Sequence, residues 1–220
     1  MTASIGSVSP NLKISKWVQG KSTNIDAEKG NVVFVEVFQV NCPGCFLYGI
    51  PEAIQLHNKF KDRGLKVLGI ATAFEDYDKN TIENLEKLVT SGHVVGETFK
   101  ALEQYGQLGE GGKLPYSIPF PVAMDKLVDE SGPISKSKVM DFVEANVPDF
   151  RSMSAKERDL MVERVTGYLK NKKYSALTFE EFNLRGTPSA IIIDRKGILR
   201  HVSFGANGSL DHTIQRLLDE

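Results

Sequence analysis

The run Val32-Val33-Phe34-Val35-Glu36-Val37-Phe38-Gln39-Val40-Asn41-Cys42-Pro43-Gly44-Cys45 constrains this chain more than any other stretch, because it joins a strand that must be buried to the only two cysteines present. Valine and phenylalanine with little period-2 alternation read as a strand covered on both faces, as at the centre of a helix-covered parallel sheet. Asn41 to Gly44 supply turn chemistry, and Cys45 through Phe60 has helical character. The cysteine pair therefore falls where a buried strand hands over to a helix N-terminus.

Unpaired backbone N–H groups and the positive end of the helix dipole stabilise an anion there, and a thiol is a nucleophile only as thiolate. Cys42 is expected to be the attacking sulfur. Cys45, two intervening residues on, is close enough to close a small disulfide ring and release a mixed-disulfide partner, which makes it the resolving sulfur. Pro43 suits a first helical turn, where its missing N–H would be an orphan anyway, and Gly44 lets a partner's backbone approach. The same C-x-x-C spacing also serves as half of a zinc site or as a purely structural disulfide. Zinc requires four ligands, however, and there is no second cysteine pair, while His57, His93, His201 and His212 are scattered singly. No metal and no prosthetic group are expected.

Two separated motifs give the chain a resemblance to the thioredoxin fold, and within it to redoxin proteins related to thiol-specific antioxidant enzymes and TlpA-type thiol–disulfide oxidoreductases. One is Glu36 to Cys45, with Cys42-Pro43-Gly44-Cys45 in the place of the family's C-x-x-C. The other is Phe182-Asn183-Leu184-Arg185-Gly186-Thr187-Pro188-Ser189 followed by Ala190-Ile191-Ile192-Ile193-Asp194, which resembles the cis-proline segment and the strand after it. The sequence departs from thioredoxin in having Asn41 where tryptophan is usual, and in placing the helix proline, Pro51, one residue later.

The resemblance implies an α/β chain with a central mixed sheet flanked by helices, and a cis Thr187–Pro188 bond. Such bonds are otherwise cis only about one time in twenty. A cis bond would set the Thr187 backbone beside Cys42 to pair with an extended substrate. Arg185 resembles an arginine preceding the cis-proline and reads equally well as a solvated surface charge. Glu36 lies six residues before Cys42, where thioredoxin carries a buried aspartate. A carboxylate unpartnered among valines and phenylalanines costs several kcal/mol, so it is expected either to point to a solvated edge or to handle the proton of Cys45 with a raised pKa.

The 220 residues, with 41% hydrophobic and 25% charged and a net charge of −1, suit a single globular domain and give no hint of nucleic acid. No apolar run is long enough to span a bilayer, and Met1 to Pro10 lacks the basic start and apolar core of a signal peptide. A cytoplasmic location is expected, where a dithiol is kept mostly reduced.

In chain order, a mobile Ser-rich lead-in over 1–10 precedes a strand at Lys13 to Gly20. The dithiol helix should kink or restart at Gly49-Ile50-Pro51, and His57 reads as a packed or half-exposed helix residue rather than a proton carrier. Gly64 ends that helix before a parallel strand, Leu65 to Thr72. Amphipathic helices are expected over Asp78 to Val89 and Glu97 to Tyr105, then a glycine-rich loop, Gly106 to Lys113, near the active site. Pro119 and Pro121 interrupt the strand Ile118 to Asp125.

Residues 126–179 form a mainly helical insertion, with a capping box at Ser154 to Glu157, an apolar face of Leu160, Met161, Val165, Tyr168 and Leu169, and a second helix, Ser135 to Ala145, stopped by Pro148. Because the insertion leaves the sheet after the Ile118 to Asp125 strand and returns just before Thr187-Pro188, it is expected to pack beside the dithiol and set partner choice, with a lateral decoration or subunit contact as the alternative. A hairpin, Ala190 to Phe204, and a helix, Ser209 to Leu218, close the chain.

The function expected is thiol–disulfide exchange on a protein or small-molecule disulfide, recharged by an electron-donating reductase. A peroxiredoxin-like peroxide reductase requires a hydroxyl three residues before its cysteine and a proline seven before, where this chain has Gln39 and Val35. A noncatalytic thioredoxin-like binding module is the third reading.

Overall fold

The computed structural model describes residues 2–130, 132–147, 149–205 and 208–220. They divide into two compact units, 1–127 with 176–220, and 128–175. Within the stretch expected to form a mainly helical insertion, 126–179, residues 128–175 make a unit with a core of its own.

In the larger unit six strands run in the order β1-β4-β3-β2-β7-β8. The central strand β2, Val32–Phe38, is buried at every position. It pairs in parallel with β3, Leu65–Ala71, and antiparallel with β7, Ser189–Ile193. Beyond β3 lie β4, Val122–Asp125, parallel, and β1, Ile14–Gln19, antiparallel; β8, Leu199–Phe204, closes the far edge. β4 starts only after Pro121, as a missing N–H requires.

The period of two along β2 sorts its side chains. Phe34 and Phe38 join the cluster built with α1, Ile50–Phe60, α2, Ile82–Ser91, α3, Gly96–Gln104, and the C-terminal helix, Leu210–Asp219. Val33, Val35 and Val37 join the opposite cluster with Leu12, Ile25, Phe182 and Leu184. Each fully buried phenylalanine contributes about 2–3 kcal/mol.

Residues 2–10, the expected mobile lead-in, bond to the start of β8 and the turn before it: Gly6 N donates to Leu199 O at 2.8 Å, and Ser9 N donates to Gly197 O at 2.8 Å. In the glycine-rich loop Gly112 packs on Phe99, and none of Gly106 to Lys113 is among the residues that line the cleft holding Cys42.

The smaller unit contains α4, Lys136–Asn146, and α5, Ala155–Asn171, opened by the expected capping box of Ser154 and Glu157. Val139, Val143, Phe150, Val165 and Leu169 form its core. Leu160 and Tyr168 are exposed, not part of the buried face, because that face turns through Met161, Val162, Val165 and Leu169. Pro148 lies outside the described residues. Sequence reading missed the short ribbon of β5, Leu127–Asp129, with β6, Tyr174–Ala176, since three-residue strands carry too little pattern to register. α6, Leu177–Glu181, then leads back to β7.

Candidate active site

Cys42 and Cys45 are joined in a disulfide at the C-terminal end of β2. Their exposure differs: Cys42 retains 8% and Cys45 none. Pro43 begins the helical segment, and Cys45 N donates to Cys42 Sγ at 3.2 Å, so an N-terminal amide is aimed at the outer sulfur.

The loop before the pair is fixed by buried polar groups. Cys42 N donates to Thr98 Oγ1 at 2.7 Å, and Thr98 donates to Val40 O at 2.9 Å. Asn41, buried where tryptophan is usual, accepts from Glu97 N at 2.7 Å and donates from Nδ2 to Asp76 at 2.7 Å, while its backbone N donates to Asn80 at 2.8 Å. Gln39 Oε1 accepts from Phe74 N at 3.1 Å and from Asn80 at 3.2 Å. The departure at Asn41 is therefore structural: an amide tied to Asp76 and to Glu97 N occupies the place of an indole. Thr98, Asn80 and Asp76 escaped the sequence reading because polar residues distant in sequence give no local signal.

The helix restarts as expected, by a mechanism that explains the displaced proline. Cys45–Gly49 forms a π turn, with Ile50 N donating to Cys45 O, before α1 begins. A π turn accommodates one additional residue, matching the one-residue shift of Pro51. Phe46 O would be next to accept in that ladder, but residue 51 is proline and has no N–H. The Tyr116 hydroxyl donates to Phe46 O instead, at 3.3 Å. Burial pushes the Tyr116 phenol up to about 12, so it remains a donor throughout the neutral range.

The Thr187–Pro188 bond is cis. Cys42 Sγ lies 3.6 Å from Thr187 O, and the Thr187 hydroxyl lies 3.5 Å from the same sulfur. Pro188 faces the helix on the inner side of the pair: a Cβ on Gly44 would meet its ring at 3.7 Å, and one on Gly49 would meet it at 2.7 Å. Arg185 is exposed and lines the cleft in which Cys42, Pro43, Gly44 and Thr187 meet.

Glu36 does not reach a solvated edge. It is 3% exposed, and its partners across the sheet are Gly69 and Ala190, whose small or absent side chains leave room for it. Oε1 touches the position a Gly49 Cβ would fill and has no hydrogen-bond partner among the described residues. Gly49, against which the carboxyl sits, lies four residues after Cys45 in the same helical segment. Burial first, and the nearby Glu52 charge second, hold Glu36 well above the usual carboxylate range. His57 stands outside this group, on α1 against Phe120 at 5.9 Å, with its pKa lowered chiefly by burial.

Among the described residues no cluster of three or more histidine, cysteine or acidic side chains could hold a metal ion, and no helix is long and apolar enough to cross a membrane.

This fold recurs in solved structures. A thiol–disulfide isomerase from Corynebacterium glutamicum is 26% identical with a TM-score of 0.57, over 95% of this chain and 94% of that one. A thioredoxin-like superfamily protein is 24% identical with a TM-score of 0.58, over 96% of both chains. The thioredoxin domain of a thiol–disulfide oxidoreductase from Bacteroides vulgatus is 16% identical with a TM-score of 0.51, over 99% of both. No protein-family model and no curated protein sequence matches the chain.

The chain thus has the thioredoxin-like fold, as its two motifs implied. With a C-x-x-C disulfide where its central strand hands over to a helix, it resembles the thiol–disulfide oxidoreductases in general terms.

Proposed function

We propose that this protein exchanges disulfides with a protein or small-molecule substrate, attacking through Cys42 and resolving through Cys45. The observation that carries the reading is the asymmetry of the pair: Cys42 opens to a cleft and faces Thr187 and the Cys45 N–H, while Cys45 is enclosed. In the reduced protein the Cys42 thiolate attacks one sulfur of the substrate disulfide. A Cys42–substrate disulfide forms and the other substrate sulfur leaves as thiolate. The Cys45 thiolate then attacks Cys42 Sγ, re-forming the Cys42–Cys45 bond and releasing the second substrate thiolate, so two electrons pass to substrate. A dithiol reductase returns the pair to its reduced form.

Cys45 must lose its proton before it attacks, and Glu36 is the group assigned to accept it. A carboxyl whose pKa is raised by burial exchanges protons far nearer neutrality than an exposed one. Thr187, with Pro43 and Gly44 opposite, supplies the backbone on which an extended substrate rests, and Arg185 flanks it.

Peroxide reduction is the weaker reading because residue 39 offers an amide committed to Phe74 and Asn80 in place of a hydroxyl. The test is turnover of 2-hydroxyethyl disulfide and of hydrogen peroxide under one dithiol reductant. Disulfide turnover abolished by Cys42→Ser and exceeding peroxide turnover supports the proposal; rapid stoichiometric oxidation by low-micromolar peroxide, or no disulfide turnover, rejects it.

A further inference from the structure

The cleft at Cys42 has walls that bear on substrate choice. Its volume of about 410 Å³ lies in the lower range of sites that enclose a ligand. Phe204 stands on one side. Its backbone is the last residue of β8, paired with Ser189, and Gly205 N donates to Pro188 O at 2.8 Å, which ties the end of β8 to the cis-proline. The Phe204 ring lies over the α-carbon of Gly186, where any Cβ would overlap it. A glycine immediately before Thr187 is what lets the ring sit there. Although so seated, Phe204 is 58% exposed. Phe74 also lines the cleft and is held by ring packing on Phe179, with centroids 4.6 Å apart.

The charges in the cleft offset one another. Apart from Cys42, its ionisable lining is Arg185 and Glu75, one of each sign. Such a site gives little purchase to a small disulfide bearing several carboxylates, such as oxidised glutathione. An exposed aromatic face beside a nucleophile gains from covering by another apolar side chain, by area burial and by ring packing. We infer that Phe204 determines specificity, and that the cleft takes polypeptide disulfides in which a large apolar residue adjoins the attacked cysteine. This rests on the exchange activity proposed above and concerns recognition, leaving the bond-making steps unchanged.

The test compares kcat/KM on disulfide-linked dimers of one heptapeptide whose cysteine is flanked by phenylalanine or by glycine. 2-Hydroxyethyl disulfide serves as an unflanked reference. The wild-type protein is expected to favour the phenylalanine peptide by about tenfold, within the range that apolar pockets supply. In Phe204→Ala the ratio should fall to within about twofold, while Phe204→Leu retains part of it. Because each ratio is taken within one variant, a loss of folded protein does not alter it. A wild-type ratio near one, or an unchanged ratio in Phe204→Ala, overturns the inference. Turnover of 2-hydroxyethyl disulfide dependent on Cys42 leaves the exchange reading standing in either case, whereas no turnover of any of these disulfides removes both.

Discussion

Cys42 Sγ lies 3.6 Å from the carbonyl oxygen of Thr187, which brings together two residues 145 positions apart in sequence. Their meeting follows from sheet order: β2 and β7 are antiparallel neighbours, with Val37 opposite Ser189, so the loop leaving β2 and the cis-proline leading into β7 fall at the same end. The Thr187 backbone therefore borders the cleft that leads to Cys42.

Glu36→Gln should slow release of the mixed disulfide by about tenfold or more near neutral pH, as loss of a positioned proton acceptor does, and flatten the pH dependence of that step. Stability supplies a separate readout. Burial raises the carboxyl's pKa, so between the unfolded and folded values the folded chain binds more protons than the unfolded one. Stability therefore falls as pH rises from the ordinary carboxylate range through the raised value, and the penalty is complete above it. Asp125, also raised by burial, contributes in the same direction, so the informative quantity is the difference between wild type and Glu36→Gln. Urea unfolding at several pH values should show the variant gaining on wild type toward alkaline pH. Parallel curves would mean that Glu36 is not buried as an acid.

Gly49→Ala introduces a methyl group where the Glu36 carboxyl and Pro188 already sit. Overpacking of this kind costs about 1–3 kcal/mol. Combining it with Glu36→Ala should recover part of that loss, leaving the Pro188 contact as the remainder. Urea midpoints of the single and double variants measure the coupling; strict additivity would contradict the contact.

Tyr116→Phe removes the donor to Phe46 O and leaves a carbonyl with no proline N–H to replace it, at a cost of about 1–3 kcal/mol. Amide exchange should quicken selectively in Cys45–Gly49. Unaltered protection there would show that the π turn needs no support from Tyr116.

Excision of 128–175 should leave the larger unit folded. Leu177 N donates to Lys126 O at 3.0 Å, so a short linker can join the cut ends, and the excised unit carries its own core. Circular dichroism and 2-hydroxyethyl disulfide turnover check this. Loss of cooperative unfolding would mean that the larger unit depends on the segment removed.

The sheet and its dithiol were legible in the sequence because their signals are local and strong. A fully buried β2 leaves an unbroken apolar run, and Cys42-Pro43-Gly44-Cys45 needs no tertiary information to be recognised. Pro51 marked the helix restart, though not the π turn behind it. Tyr116, Thr98 and Asn80 act on the site from loops and helices far along the chain, and Phe204 acts only because Gly186 lies beneath it. Such partnerships join residues far apart in the sequence through the tertiary fold, so no periodicity announces them. The insertion's core was half legible: the spacing marked Val165 and Leu169, but amphipathic helices with exposed Leu160 and Tyr168 do not disclose which apolar stripe turns inward.

The most direct measurement is trapping of mixed disulfides with an oxidised protein substrate, comparing Cys45→Ser with Cys42→Ser by non-reducing mass spectrometry. Cys45→Ser retains the outer sulfur and lacks the resolving one, so it is expected to accumulate a covalent adduct through Cys42 that a dithiol reductant releases, while Cys42→Ser gives none. An adduct formed by Cys42→Ser through Cys45, and none by Cys45→Ser, would contradict the assignment of the two sulfurs.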